Sequence, residues 1–486
     1  MGVGASHSSD EASNDRGAKG WRESITFKGN SRELQTVNAN QKKTKLEGIG
    51  RKAKFVPTTV FNNIWHVIDI NLLCECYQEL EGNRAIGIDN VTKDMYGENL
   101  AANLSGLYAR LQHNAYKSKP SRVVEIPKED GSTRPLAITC FEDKIVQLAV
   151  SKILTKIYEP LFLPCSFGYR EGMNAHDALR SLMKYSNAFP TGVTVEIDLR
   201  QYFSSIPHAR LLAILREKIV DKKFLKLLEK LIRAPIMVNG KAQLNTIGVP
   251  TGSIVSPILS NVYLHHVIDS WFAQISKGHL HGKAGMVRFA DDMVFVFQNE
   301  HDATRFYQVL PKRLEKFGLK LHADKSSVIK SGSYHAKVAA SKGEKLKTYK
   351  FVGFTCYWGK SRSGKWRLKF KSRADRLAKK LVGLRKHLKQ ENLSVKTHAV
   401  IKYVIRVVVG WGNYHAISDN QRQVSMFIQW SKRILFAFVN RKGGKRKMNW
   451  ASFTKMLNRL NYPTYFKTTS MFRAAESLAA SGSPLP

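Results

Sequence analysis

The 486-residue chain has few cysteines, and this scarcity excludes the disulfide-rich scaffolds that are typical of small secreted proteins. Its five cysteines are an odd number at low density, which argues against a fold held together by disulfides and favours a reducing compartment. We therefore expect a cytoplasmic protein. Cys74 and Cys76 have no second Cys or His pair, so no zinc site is expected at these cysteines or elsewhere in the chain.

Acidic residues are also scarce. The chain has 38 Asp and Glu against 78 Lys and Arg, which gives a formal net charge of +40. A field of this sign attracts polyanions, and nucleic acid binds such surfaces by releasing counterions from its phosphates. Because the basic residues run through the whole second half, the charge indicates a nucleic-acid-binding protein more than an unrelated enzyme with a basic tail.

The sequence lacks an apolar run that could cross a membrane. Residues 243–268 carry no formal charge, but they contain Pro250, Pro257 and several hydroxyl and amide side chains, which disfavour a lipid-facing helix. The N-terminus has no apolar secretory region. No membrane partner is expected.

Hydrophobic periodicity divides the chain into four parts. Residues 1–50 are polar and without apolar periodicity, so we predict a disordered or weakly ordered segment. Residues 51–190 contain helical patterns over 61–111 and 141–158 and a hairpin over 122–136. Residues 191–360 combine short apolar strands with helices at about 207–233, 256–275 and 302–317, and residues 361–486 are expected to be helical. This mixture predicts an α+β fold.

The last part begins with its most basic stretch. Residues 361–390 hold twelve Lys or Arg and one acid, with apolar residues recurring at helical spacing after residue 376. We predict a basic amphipathic helix here. Further helices are expected over residues 397–439.

Three aspartates carry the candidate chemistry. Asp291 and Asp292 lie between two apolar runs, which predicts a hairpin with an acidic tip, and Asp198 ends the apolar strand 193–199. Carboxylates of this kind suit Mg²⁺, and two such ions can hold the attacking and leaving oxygens of a phosphoryl transfer. Taken alone, an Asp-Asp pair is more often a surface turn, so its context decides the interpretation.

That context is a series of short segments in a fixed order. They include Gly87-Ile88-Asp89, Ser166-Phe167-Gly168-Tyr169-Arg170, Ala175-His176-Asp177, Ile197-Asp198, Ser256-Pro257, Asn261-Val262-Tyr263-Leu264, Arg288-Phe289-Ala290-Asp291-Asp292 and Gly412-Asn413-Tyr414-His415. From about residue 45 to about 465, the sequence resembles the reverse transcriptase and maturase proteins of bacterial group II introns.

The resemblance implies a right-hand polymerase with fingers, palm and thumb, and it assigns roles to individual residues. Asp198 and Asp291, with the carbonyl of Leu199, would ligate two Mg²⁺ ions, for which Mn²⁺ could substitute, and Asp292 would be the third acidic member. The remaining roles fall into three groups. The nucleotide would contact Lys128, Arg134, Phe203, Thr251, Gly252 and Lys325; the primer grip would be Phe351, Val352, Gly353 and Phe354; and RNA would contact Lys369, Lys371, Arg373, Arg376 and Lys380.

Several of these residues have an ordinary structural alternative. Lys128 and Arg134 could be solvated hairpin charges, and Phe203 could be a core side chain instead of the gate that rejects a 2′-hydroxyl. The sequence also departs from the family at two positions, with Phe289 where Tyr is usual and Thr251 where Gln is usual. No Cys and His pairs of the family's endonuclease module follow Cys356, so cleavage of a second strand is not expected.

The resemblance therefore predicts DNA synthesis on an RNA template, with a DNA primer and dNTPs as substrates and the protein's own group II intron RNA as a further partner. Two alternatives stay open at this stage. One is a reverse transcriptase recruited to another purpose, such as phage defence or DNA repair. The other is a non-catalytic RNA-binding splicing factor, against which the three intact aspartates count.

Overall fold

The computed structural model describes residues 45–127, 131, 133–238, 240–391, 395–443 and 447–472. These ranges form helices and three separate β-sheets, which confirms the predicted α+β class. Residues 45–50, which we predicted to be weakly ordered, begin a helix, α1, over residues 45–55. Leu46, Ile49 and Ala53 pack this helix against the core, at a three- and four-residue spacing that its polar surroundings obscured. Within the described ranges, no helix is long and apolar enough to cross a membrane.

The N-terminal part is mostly helical. The pattern predicted over 61–111 is several elements, because Asp69 and Thr92 cap new helices by accepting bonds from Leu72 N and Met95 N. The 18-residue helix α5 has the predicted bounds and is the most deeply buried of this part. The helices are α2 (Ile70–Glu79), α3 (Lys93–Glu98), α4 (Leu100–Gln112), α5 (Phe141–Tyr158) and α6 (Ala175–Ala188).

The first sheet contains the predicted hairpin. β1 (Ser121–Pro127) pairs antiparallel with β2 (Thr133–Ile138), and two short strands, β4 (Ile236–Val238) and β5 (Lys241–Gln243), complete the order β2-β1-β4-β5.

The central sheet contains the predicted apolar strands. Its order is β6-β7-β3-β8, and each neighbouring pair is antiparallel. β7 is buried along its length except for Asp292, because helices cover the sheet. The strands are β3 (Val193–Ile197), β6 (Ala284–Phe289), β7 (Asp292–Phe297) and β8 (Ser327–Lys330).

The helices around the central sheet follow the predicted ranges but are more divided. The range 207–233 is two helices, because Asp221 caps the second one and also accepts bonds from Ile64 N and Trp65 N. The range 256–275 is divided by a π-helical turn, His265–Asp269. The helices are α7 (Tyr202–Ser205), α8 (His208–Arg216), α9 (Lys222–Ile232), α10 (Ser256–Leu264), α11 (Ser270–Gly278), α12 (Glu300–Lys316) and α13 (Ser333–Ser341).

The third sheet corrects one prediction. Residues 361–390 are not one basic helix, because their first part contains the strand β11 (Trp366–Ser372), which pairs with β10 (Phe354–Lys360). In β11 the buried Leu368 and Phe370 alternate with basic residues, a two-residue period that the high charge masked. β9 (Tyr349–Phe351) completes the order β11-β10-β9.

The C-terminal part is helical, as predicted, and has its own core. Val404, Val408, Phe427 and Leu435 lie at the centre of this core. The helices are α14 (Ala374–Gln390), α15 (Thr397–His415), α16 (Gln421–Lys442) and α17 (Trp450–Arg459).

Candidate active site

The three predicted carboxylates meet at one end of the central sheet. Asp198 directly follows β3, Asp291 lies in the β6–β7 turn, and Asp292 is the first residue of β7. The register pairs Ile197 with Met293, so one further step along it sets Asp198 beside Asp292.

The electrostatics of these residues show mutual repulsion. Burial and the charge of Asp198 raise the pKa of Asp291, while the charges of Arg134 and Arg288 act in the opposite direction. Although Asp292 is partly exposed, loss of solvent around its carboxylate raises its pKa to about 6, with further contributions from Asp291 and Asp198. A cation bound between the carboxylates would relieve this repulsion.

The tip of the β6–β7 hairpin is held in an uncommon backbone conformation. Ala290 has a φ of 57°, in the left-handed region. Its carbonyl accepts a bond from Arg288 Nη1 at 3.0 Å, and the same nitrogen donates to Asn261 Oδ1 at 2.9 Å. Asn261 Nδ2 donates to the carbonyl of Gly168. A Cβ atom on Gly168 would lie 2.3 Å from Ala290 N, which is too close for any side chain. Gly168 therefore lets a second segment pack directly under the tip.

Sequence reasoning assigned no role to this support. Arg288, Asn261 and Gly168 all stood in the recognised segments, but only as part of the resemblance. The available signal was Arg288 itself, a charged residue between apolar neighbours in a predicted strand.

Asp198 is fixed by the segment that contains Lys325. Ser326 Oγ accepts a bond from Asp198 N at 3.0 Å, and His322 N donates to the Asp198 carbonyl at 2.8 Å. Leu199 forms an antiparallel β-bridge with Leu321. The two bonds of this bridge run from His322 N to the Asp198 carbonyl and from Arg200 N to the Lys320 carbonyl, so the bridge does not use the Leu199 carbonyl. Lys325 is exposed on the adjoining turn, Ala323–Lys325.

One of the two predicted triphosphate ligands lies near the aspartates. Arg134 lies exposed on β2. Burial raises the pKa of both Asp291 and Tyr169, and the charge of Arg134 opposes both rises, so Arg134 is near the acidic tip. Lys128, the other predicted ligand, lies outside the described residues.

The Thr251–Gly252 turn packs against β2, the strand that contains Arg134. The Thr251 carbonyl accepts a bond from Ala137 N at 2.7 Å. Gly252 has a φ of 103°, and a Cβ there would lie 2.6 Å from the Ala137 carbonyl oxygen. This position therefore requires glycine, both for its conformation and for the close approach of the backbone.

Phe203 is half-buried, which fits neither a solvated loop residue nor a fully enclosed core residue. Its ring packs edge-on against Tyr202, with centroids 5.2 Å apart, and its carbonyl accepts a bond from Val249 N. Tyr202 is anchored in turn by a bond from its hydroxyl to the Ser260 carbonyl. These contacts fix the Phe203 backbone and leave part of the ring exposed.

The predicted primer-grip residues form a tight hairpin beside Asp292. Val352 and Gly353 are the two turn residues between β9 and β10, with φ values of 44° and 77°. A backbone bond from Val352 opposes the rise in the pKa of Asp292, so the turn contacts this carboxylate. Tyr414 Oη donates to the Val352 carbonyl at 2.9 Å, which links the turn to α15.

The five predicted RNA-binding residues lie on β11, on the segment that follows it and on α14. Lys369 Nζ lies 3.9 Å from Asp419 Oδ1, and Lys371 Nζ lies 5.2 Å from the centre of the Tyr357 ring. Arg373 bonds to Asp375, and Arg376 Nη1 would lie 2.9 Å from a Cβ at Gly353, near Asp292. Lys380 is exposed on α14.

Comparison with known proteins agrees with this geometry. Residues 126–356 match the model of the reverse transcriptase (RNA-dependent DNA polymerase) family. An uncharacterized 91 kDa protein in the cob intron of Schizosaccharomyces pombe is 26% identical over 83% of this chain and 57% of its own length. A putative COX1/OXI3 intron 2 protein of Saccharomyces cerevisiae is 33% identical over 48% of this chain and 27% of its own length. The group II intron-encoded protein LtrA of Lactococcus lactis is 29% identical over 47% of this chain and 38% of its own length.

The matched region contains the strands and the turn that carry Asp198, Asp291 and Asp292. The chain spans 57%, 27% and 38% of the lengths of these three relatives. Their names confirm the resemblance drawn from the sequence. Residues 126–356 therefore match the reverse transcriptase family, and the chain is similar to proteins encoded by introns, one of which, LtrA, is named for a group II intron.

Proposed function

We propose that this protein is an RNA-directed DNA polymerase that extends a DNA primer on an RNA template with dNTPs. The observation that carries the proposal is the convergence of Asp198, Asp291 and Asp292 at one end of the central sheet, with the positive charge of Arg134 near Asp291. Reverse transcriptases use divalent metal ions, and the all-oxygen donor set of this site fits Mg²⁺. Mn²⁺ is expected to substitute for it.

Asp198 and Asp291, with the carbonyl of Leu199, would hold two Mg²⁺ ions, and Asp292 would add negative charge beside them. When bound, the ions would stabilise the charges that develop on the attacking and leaving oxygens. The raised pKa values of Asp291 and Asp292 agree with a group of carboxylates whose mutual repulsion a bound cation would relieve.

The surrounding residues would position the substrates. Arg134 presents a planar fork of donors that matches phosphate oxygens, and Lys128 would add a point charge to the same triphosphate. Phe203 would lie under the sugar and exclude a 2′-hydroxyl, while Gly252, which already packs closely against Ala137, would let the backbone approach the nucleotide. Lys325 would neutralise the leaving pyrophosphate.

The primer end would be held by the hairpin of Phe351, Val352, Gly353 and Phe354. Its contact with Asp292 would couple the position of the primer to that of the carboxylates. The basic C-terminal helices would follow the template–primer duplex and the protein's own intron RNA, by phosphate contacts and shape. The names of the relatives favour this intron role over recruitment to phage defence or repair.

Replacement of one catalytic carboxylate tests the proposal. Asp291→Asn should abolish primer extension on an RNA template, while RNA affinity stays close to that of the parent, because the amide keeps the shape of the side chain but loses its charge. Asp94→Asn, at an exposed carboxylate on α3, is the matched control and should extend primers normally. Extension by Asp291→Asn at the parental rate would overturn the assignment. RNA binding by a parent protein that extends no primer would favour the non-catalytic splicing factor.

A further inference from the structure

The loop between α11 and β6 is clamped onto the start of α12, far from the aspartates. Gln298 N donates to the Lys283 carbonyl at 2.9 Å, and Lys283 N donates to Gln298 Oε1 at 3.1 Å. At Gly282 a Cβ would lie 2.6 Å from Asn299 Nδ2, so the two segments are in direct contact. β6 begins at Ala284 and the acidic tip follows its other end, about 20 Å away along the strand.

A buried carboxylate fixes this clamp. Asp302, in the first turn of α12, is 2% exposed and accepts bonds at Oδ2 from His281 N at 3.0 Å and from Gly282 N at 2.9 Å. Burial alone would raise the pKa of Asp302, but these bonds lower it, so the group is charged. The carboxylate is therefore both ionised and held in place.

Two exposed histidines lie over this carboxylate. His281 Nδ1 is 3.1 Å from Asp302 Oδ1, and His301 Nδ1 is 3.8 Å from the same atom. Their side chains are 69% and 72% exposed, and the ring centres are 5.4 Å apart. In the described part of the chain, this is the one group of three His, Cys, Asp or Glu side chains whose ligand atoms all lie within 4.8 Å of one another.

We propose that His281, His301 and Asp302 bind a divalent transition-metal ion of the Zn²⁺ class, with water as the fourth ligand. In a tetrahedral zinc site, neighbouring ligand atoms are about 3.3 Å apart. The separation between His281 and Asp302 already matches this value. The exposed His301 side chain, whose Nδ1 lies 3.8 Å from Asp302 Oδ1 and whose ligand atom lies within 4.8 Å of that of His281, can rotate to the same distance. The imidazole nitrogens favour zinc over Mg²⁺, which prefers oxygen ligands.

The bound ion would fasten the start of β6 to the start of α12. It would therefore stabilise the scaffold of the central sheet without touching the substrates, and the inference does not depend on the polymerase activity. It differs from the expectation of no zinc site, which rested on the absence of closely spaced Cys and His pairs. The two histidines are twenty residues apart, and only the fold brings them together.

Zinc titration of the full-length protein, prepared metal-free and without a polyhistidine tag, tests the proposal. Mg²⁺ in excess occupies the oxygen sites, and calorimetry then gives the zinc stoichiometry and the affinity. The parent should bind one equivalent of Zn²⁺ more than the His281→Gln/His301→Gln double variant, and Zn²⁺ should raise the melting temperature of the parent alone. The matched control, His398→Gln, removes an exposed histidine on α15 and should bind Zn²⁺ like the parent.

The same stoichiometry and the same zinc-induced stabilisation in the parent and the double variant would overturn the site. Asp302 is left unchanged, because its replacement would break the clamp. If the double variant melts at a lower temperature than the parent when both are metal-free, His301→Gln alone serves instead. The His301 side chain takes no part in the backbone bonds of Asp302, and its loss should still weaken zinc binding at least tenfold.

Discussion

Arg288 and Asp269 form a two-bond ion pair in the interior of the protein. Arg288 Nη2 lies 2.6 Å from Asp269 Oδ2, Arg288 Nε lies 2.8 Å from Asp269 Oδ1, and both side chains are completely enclosed. Although burial alone would raise it, the charge of Arg288 lowers the pKa of Asp269. The pair leaves Arg288 Nη1 to support the Ala290 carbonyl, so the π-helical turn that carries Asp269 positions the hairpin with Asp291 and Asp292 at its tip.

Removing one partner of this pair should be costly. We expect Asp269→Asn to lower the free energy of unfolding by about 3–5 kcal/mol, because it leaves a buried charge without compensation. The double variant Asp269→Leu/Arg288→Met should recover most of that stability, yet still extend primers slowly, since the Ala290 carbonyl has lost its donor. Denaturant unfolding and primer-extension rates measure the two effects. Parental extension by the double variant would show that the pair has only a structural role.

Phe203 provides a test of sugar selection. Phe203→Ala should admit ribonucleotides, because the exposed part of the ring is the bulk that would reject a 2′-hydroxyl. The measurement is the ratio of dNTP to rNTP incorporation, with Phe224→Ala, at a fully buried phenylalanine of α9, as a control for general loosening of the core. An unchanged ratio in a folded Phe203→Ala protein would assign Phe203 to the core.

The surface of α14 provides a test of the electrostatic contribution to RNA binding. Lys379 and Lys380 are both exposed, and their joint replacement by Gln should flatten the dependence of log affinity on log salt by about one unit per lost phosphate contact. The control removes the same charge from Lys222 and Lys223, which are exposed on α9. Equal slopes for the two variants would mean that α14 faces away from the RNA.

His415 should make the junction of the third sheet and the C-terminal helices sensitive to acid. It packs against Trp411, with ring centres 3.9 Å apart, and its Nδ1 lies 3.0 Å from Ser372 Oγ. Burial, with the charges of Arg376 and His176, lowers the pKa of His415 from 6.5 to about 4. As the pH falls, the unfolded chain protonates His415 before the folded chain does. The contribution of the neutral His415 to the free energy of unfolding is therefore fully present above pH 6.5 and decreases as the pH falls from 6.5 to about 4.

By pH 5 the loss should be about 2 kcal/mol. The free energy of unfolding should therefore fall more between pH 8 and pH 5 in the parent than in His415→Gln, which has no proton to gain. His398→Gln, at an exposed position, should behave like the parent. Equal pH dependence in the parent and in His415→Gln would contradict the assignment.

The elements of the candidate active site could be predicted because their signals are local. The apolar runs around Asp291 and Asp292 predict the hairpin, and the alternation in 122–127 predicts β1. The strand β11 had an equally local signal, but its lysines and arginines were interpreted as a helical charge face. Periodicity, not charge, determined the structure there.

The support of the centre could not be predicted in the same way, because it joins distant parts of the chain. Asn261 contacts Gly168, and Tyr414 contacts Val352, across 93 and 62 positions of sequence. Such pairs have no spacing that a single sequence reveals. The cluster of His281, His301 and Asp302 is of the same kind.

Thr251 is a position where this chain departs from the family that it resembles, beside the proposed site of the incoming nucleotide. The long amide usual in the family can reach the sugar or phosphate of the incoming nucleotide, whereas Thr is two heavy atoms shorter. A missing neutral hydrogen bond corresponds to about 0.5–1.5 kcal/mol, or roughly a two- to tenfold loss of nucleotide affinity. We therefore expect Thr251→Gln to lower the KM for dNTPs and to change kcat less, as a ground-state contact is restored.

Two neighbours could already supply that contact, and the structure separates them. Ser253 is buried, so its hydroxyl does not reach the cleft, whereas Gln201 is exposed beside Phe203. Gln201→Ala is therefore the informative partner variant: it should raise the KM only if Gln201 has replaced the missing amide. Steady-state kinetics of the two single variants and of their combination decide between these accounts. A KM that stays equal or rises in Thr251→Gln, together with a raised KM in Gln201→Ala, would show that the pocket has been rebuilt around threonine.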